Sequence, residues 1–248
     1  MSLMRMKWLS AAAAVMSMTA CGGGVTEATG VVPTQTCGTS EYNTAVMKAV
    51  EPVSSDIVTN LFAINDANTK LTWNADHTMV LMVVWTTFGG YTTGDNTLTR
   101  DVFVTAAPQV QELCRSVTAD DAGLVARINE YLGLPPATDA DNSRKFVEIW
   151  VKPADMFRPC PDAEVNDATC GLQFPSDATA DHKTWMNNYY ASSYGFWQST
   201  KYPWTGLGYT YDWCSGTASH EGASEYVMRK GATVKVQGYI ARDVYCAK

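Results

Sequence analysis

The chain has 248 residues, of which 46% are hydrophobic, and a formal net charge of −7 at pH 7. That apolar fraction and the eight tryptophans are ample for a buried core, which sets disorder aside, and the length suits one large domain or two small ones. The acidic balance and the lack of any basic run exclude nucleic acid as an expected partner, because phosphate binding needs clustered Lys and Arg.

In chain order the first signal is an export leader. Arg5 and Lys7 form a positive start, residues 8–18 are a short apolar stretch, and Thr19-Ala20-Cys21 closes it with small side chains. The four residues Met18-Thr19-Ala20-Cys21 resemble the lipobox of bacterial lipoproteins, with methionine where leucine is usual. The resemblance implies cleavage before Cys21, fatty acylation of its thiol, and attachment to the cell envelope through that lipid. Gly22 in place of Asp after the cysteine implies sorting to the outer membrane in a Gram-negative source. Loss of Arg5 and Lys7 with the leader takes the net charge from −7 to −9. The expected organisation is a signal peptide over 1–20, a lipidated Gly-, Thr- and Val-rich tether over 21–36, and a single domain over 37–248. The longest other apolar run, 79–85, is too short to span a bilayer, so the lipid is the expected membrane contact.

Within the domain, residues 40–50 read as a helix with Tyr42, Val46, Ala49 and Val50 on one face, and 56–64 as its continuation after Pro52. Residues 79–85 are apolar on both faces and valine-rich, which predicts a central strand. A second strand follows over 100–105, then a helix over 108–116. Thr118 stands as the N-cap of a further helix striped by Leu124, Val125, Ile128, Tyr131 and Leu132, ended by Gly133 and Pro135-Pro136. Residues 145–152 alternate, with Val147, Ile149 and Val151 facing inward and Phe146, Glu148 and Trp150 forming an aromatic outer face. A capped helix is expected over 181–190, and 224–228 with 232–239 read as a hairpin about Arg229-Lys230-Gly231. Helices and strands mix without strict alternation, so the predicted class is α+β, mainly antiparallel.

With Cys21 set apart, six cysteines remain: Cys37, Cys114, Cys160, Cys170, Cys214 and Cys246. An even set in an exported chain predicts up to three disulfides. The Pro- and Asp-rich stretch between Cys160 and Cys170 reads as a closed surface loop, which favours that pair. Cys37–Cys114 and Cys214–Cys246 then follow by elimination.

The densest anomaly is 185–213, which holds eleven of the 27 aromatic residues in a largely glycine- and proline-broken stretch. Flat amphipathic rings beside carboxylates suit a saccharide-like or other polar ligand, such as a cell-wall fragment. The expected site has Trp197, Trp204 and Trp213 for stacking, Tyr209 and Tyr211 for hydroxyls, and Asp212 and Glu225 as acceptors. The plain alternative is that these rings fill the core of a purely structural envelope protein.

Catalytic signatures are sparse. His220-Glu221 starts a zinc helix motif, but Ser224 stands where the second histidine must be. Asp139, Asp141 and Ser143 begin like a calcium loop, with Arg144 where glycine is needed. No metal or cofactor is implied, and no G-x-S-x-G elbow occurs. Asp212 and Glu225 could serve as the two acids of a hydrolase if they lay within about 5–10 Å of each other. Residues 222–228 and 231–236 resemble the late catalytic strand and hairpin of ADP-ribosyltransferase toxins, which implies a ribose-contacting role for Glu225. Ala223 replaces that family's second glutamate, and 79–88 lacks its arginine. The expectation is a non-catalytic envelope binding module, with a transferase or hydrolase as the alternative.

Overall fold

The computed structural model describes residues 37–247, so Cys21 and the expected leader and tether lie outside the described residues. Five α-helices and eight strands build an α+β domain: α1 (Thr39–Ala49), β1 (Val80–Thr86), β2 (Gly94–Thr97), β3 (Val102–Ala106), α2 (Ala107–Ser116), α3 (Asp121–Tyr131), β4 (Lys145–Val151), β5 (Met156–Phe157), α4 (Ala180–Tyr194), β6 (Tyr209–Tyr211), β7 (Glu221–Met228), β8 (Thr233–Ile240) and α5 (Arg242–Tyr245). The sheet runs β2-β8-β4-β1-β3-β7-β5, with β6 branching from β7, and every pairing is antiparallel.

β1 sits at the centre of that order, as its two-sided apolar sequence predicts. Val80 and Met82 enter one core with Val104, Ala106, Val147, Ile149, Tyr226, Met228, Val234 and Val236. Val83 and Trp85 enter a second core on the opposite face, with Val110 and Cys114 of α2, Val125 and Ile128 of α3, Phe146, and Tyr245 of α5. Alternation along each strand therefore feeds two cores. The expected aromatic outer face of β4 is only partly outside. Trp150 is half-buried, whereas Phe146 is fully enclosed between Trp85 and Tyr245, ring centroids 4.5 and 3.9 Å away.

The expected hairpin between the last two strands does not form. β7 and β8 are joined by a short turn, yet β4, β1 and β3 stand between them in the sheet. A flat sheet would separate them by about 19 Å. The links from Met228 to Thr233 reach at most about 18 Å when fully extended. The sheet therefore curls until Tyr226 and Met228 from one limb meet Val234 and Val236 from the other. The turn residues bond to other partners: the Gly231 N–H donates to the Leu98 carbonyl at 2.8 Å, and the Lys230 N–H to Asp101 at 2.7 Å.

Two local expectations give way to longer-range bonds. Residues 56–64 are not helical. A 3-10 turn over Ser54–Asp56 leads into extended chain, whose Leu61 and Ile64 N–H groups donate to the carbonyls of Ala168 and Val165 at 3.0 and 2.7 Å. The cap of α3 is Asp120, whose carboxylate accepts from the Gly123 N–H at 2.8 Å, and Thr118 lies outside the helix. Gly133 ends that helix region at φ +65°, where only glycine is unstrained.

Cys160–Cys170 closes its loop as expected, but the other two pairs are Cys37–Cys214 and Cys114–Cys246. Elimination carries no geometry, and packing decides otherwise. The start of α1 lies on the 211–214 segment with Tyr42 against Trp213, and the end of α2 meets the C-terminal helix α5. The two long bridges span 177 and 132 residues and each restricts a large loop of the unfolded chain. Bridges of this kind contribute about 2–4 kcal/mol apiece.

Candidate functional site

Seven of the eleven rings are buried or half-buried, and Tyr190, Phe196, Trp197 and Tyr202 are exposed. α4 runs on to Tyr194, past the expected end at 190, and its Trp185 and Tyr189 stack at 5.1 Å over Phe103. Trp204 is buried edge-on against Tyr189 at 4.7 Å, and the Trp213 indole N–H donates to the Leu134 carbonyl at 2.9 Å. Trp204 and Trp213 are thus core rings, 8% and 5% exposed, which corrects their expected role as stacking platforms facing water. Trp197 does face solvent at 62% exposure, with Phe196 at 92% packed edge-on to it.

Asp212 is likewise enclosed. Its carboxylate takes the Arg127 guanidinium in two bonds of 2.9 and 2.5 Å and accepts the Cys214 N–H at 3.2 Å. Glu130, one helical turn along α3, lies 3.6 Å from the same guanidinium. Burial pushes the Glu130 carboxyl up to about 7, with Arg127 pulling it down and Asp212 pushing it further up. Asp212 therefore holds β6 to α3, and its lone pairs are not open to a ligand. Sequence reasoning missed Arg127 because its partner lies 85 positions away and no motif links them. Gly222 lets this region close, since a Cβ there would sit 2.3 Å from both the Thr210 hydroxyl and the Tyr131 carbonyl.

Tyr209 and Tyr211 are buried over most of their surface but border a groove of about 570 Å3 between the end of α1, residues 53–58 and the start of β7. Lys48, Asp56, His220 and Glu221 line it with them. The Tyr209 hydroxyl donates to the Asp56 carbonyl at 2.8 Å, fixing the floor. The His220 ring stacks on Tyr211 at 4.7 Å, and the Asn60 amide donates to Glu221 at 2.8 Å. Burial raises the Glu221 carboxyl above its ordinary value, and the Asn60 bond opposes that rise. Both signs of charge and an imidazole thus face a cleft of ligand size, which falls within the 300–1,000 Å3 usual for small-molecule sites. His220 and Glu221 stand close in sequence to the aromatic segment, and the pairing of β6 with β7 brings them to the same groove as Tyr209 and Tyr211.

Glu225 stands apart. It projects from β7 on the helix-covered face, opposite Thr105 of β3. A smaller pocket of about 130 Å3 opens there, lined by Trp85, Phe103, Val110, Leu134, Phe146 and Thr210 among others. No hydrogen bond or ion pair reaches the Glu225 carboxyl among the described residues. Burial alone pushes it up to about 8, with no charged neighbour contributing. Asp212, tied to Arg127, does not join it as the second acid of a hydrolytic pair.

The Cys160–Cys170 loop carries Asp162, Glu164 and Asp167 with carboxylate oxygens within 4.8 Å of one another. Asp167 is engaged by the fully buried Arg158 at 2.5 Å, which supplies a cation from the protein itself. No known family, curated protein or solved structure matches the chain.

Proposed function

We propose that this is an envelope-anchored lipoprotein, held by an acylated Cys21, whose domain is a non-catalytic binding module for a saccharide-like polar ligand. The ligand occupies the groove bordered by Tyr209, Tyr211, His220 and Glu221. The observation that carries the reading is that groove: two tyrosines bordering it, one carboxylate held by Asn60, Lys48 as donor, and His220 Nε2 as acceptor, since its Nδ1–H is spent on the Asp212 carbonyl at 3.0 Å. A sugar presents both C–H faces and hydroxyls, and this lining answers both. Three disulfides among the cysteines other than Cys21 support export, since such bridges persist in oxidising compartments.

Catalysis is the weaker reading, because Glu225 has no second acid and Asp212 serves Arg127. Two measurements test the proposal. Intact-mass spectrometry of the native protein should find acylated Cys21 as the first residue; an unprocessed terminus would refute the anchor. Calorimetric titration with cell-wall fragments and neutral oligosaccharides should give saturable binding that Glu221→Gln and Lys48→Ala weaken. A flat response across the panel would remove the groove from consideration.

A further inference from the structure

The pocket at Glu225 has a chemistry unlike that of the groove, and it lies on the other side of β6–β7. We propose that it binds a small organic cation, an ammonium group on a compact apolar body, with Glu225 as counter-ion and Phe103 and Trp85 as aromatic walls.

Three observations converge on that occupant. The first is the carboxyl without a partner. Arg127 is committed to Asp212, Arg144 to Asp141, Arg158 to Asp167 and Arg242 to Asp121, so the ion-paired arginines are all placed elsewhere. Glu225 is half-buried, so its carboxyl faces the mouth of a largely apolar recess with no partner from the protein, where a cation can reach it.

The second is the lining. Trp85 and the half-buried Phe103 line one pocket, Phe146 is enclosed behind Trp85, and the Tyr189 ring packs on Phe103 at 4.8 Å. Glu225 also raises the Tyr189 phenol further above its ordinary value, so carboxyl and ring share one neighbourhood. Aromatic walls attract alkylammonium groups through the ring quadrupole. A net charge of −7 favours the approach of any cation.

The third is what the pocket lacks. One carboxylate with Thr105 and Thr210 is too few hard oxygens for calcium or magnesium, which need about six. At about 130 Å3 it is also too small for a saccharide chain. A compact ammonium satisfies the carboxyl and leaves its methyl or methylene groups against the rings. Desolvation alone raises the Glu225 carboxyl, and a bound cation would draw it back toward the ionised form.

The test uses the purified protein and tetramethylammonium chloride, with tert-butyl alcohol as the uncharged probe of similar size and sodium chloride as the ionic-strength control. Binding is followed by calorimetry and by thermal shift. The expected result is saturable binding of tetramethylammonium, at least tenfold tighter than of the alcohol, and absent with sodium chloride. Glu225→Gln should weaken it at least tenfold while the protein stays folded, and Phe103→Leu should weaken it severalfold with Glu225 in place. Equal binding of the two probes, unchanged binding in Glu225→Gln, or no saturable binding would each overturn the proposal. The groove residues are untouched by these variants, so failure here leaves the saccharide reading intact.

Discussion

Asp212 and Glu225 lie thirteen positions apart, flanking the β6–β7 turn, and the fold treats them in opposite ways. Around Asp212, a guanidinium shared with Glu130 and a backbone N–H make a closed cluster in which the Asp212 carboxylate is fully engaged. Around Glu225, rings and aliphatic side chains approach but no donor does. The sequence letters are similar acids near similar aromatics. What separates them is whether a long-range partner arrives: α3 brings Arg127 to one, and α2 brings Val110 to the other. A buried acid with its cation is architecture, and a half-buried one beside a pocket and without a cation can receive a ligand.

The largest expected effect opens a bridge on the helix-covered side. Replacing Cys114 and Cys246 together by serine should remove about 2–4 kcal/mol, and α5 should show the greatest gain in hydrogen exchange. Next comes the closed cluster. Asp212→Ala removes both close bonds to Arg127, leaves it the longer Glu130 contact, and should cost about 2–3 kcal/mol, read as a lower urea midpoint.

The open site predicts a smaller change of opposite sign. The Glu225 carboxyl titrates near 8 in the folded protein, above its ordinary 4.5. The protonated form is therefore the one the fold favours. That contribution is complete below about pH 4.5 and is lost as pH rises through about 8. Glu130, raised to about 7, acts in the same direction. Thermal stability should thus fall from pH 5 to pH 8.5, and Glu225→Gln should flatten part of that slope. At pH 8.5 the variant should exceed the parent by about 2 kcal/mol, while at pH 5 the two should nearly coincide. Identical slopes in the two proteins would mean that the carboxyl is solvated and the contrast with Asp212 is false. The smallest effect is expected at the exposed ring: Trp197→Ser should change stability by less than about 0.5 kcal/mol and remove most acrylamide-quenchable fluorescence.

Elements set by their own periodicity were readable from the chain. The central strand at β1, the helices at α1, α2 and α4 and the small Cys160–Cys170 loop follow from local pattern. The failures share one cause. Residues 56–64 carry a helical pattern but give their N–H groups to the 160–170 loop. The strands around Arg229–Gly231 look like a hairpin but join opposite limbs of a curled sheet. The disulfide partners and Arg127–Asp212 are likewise matters of tertiary meeting, which spacing does not encode. For the candidate site, the sequence singles out the aromatic segment but does not show which of its rings face water. Trp204 and Trp213 fill space, and the groove is bordered by the largely buried Tyr209 and Tyr211.

The bridge between Cys37 and Cys214 has a mechanical consequence. Tension applied from the N-terminal side of residue 37 passes through sulfur into the segment beside His220, so α1 cannot be peeled away turn by turn. Any pull transmitted along the chain before Cys37 is therefore delivered next to the groove, and rupture requires chemistry at the sulfurs before the helix yields.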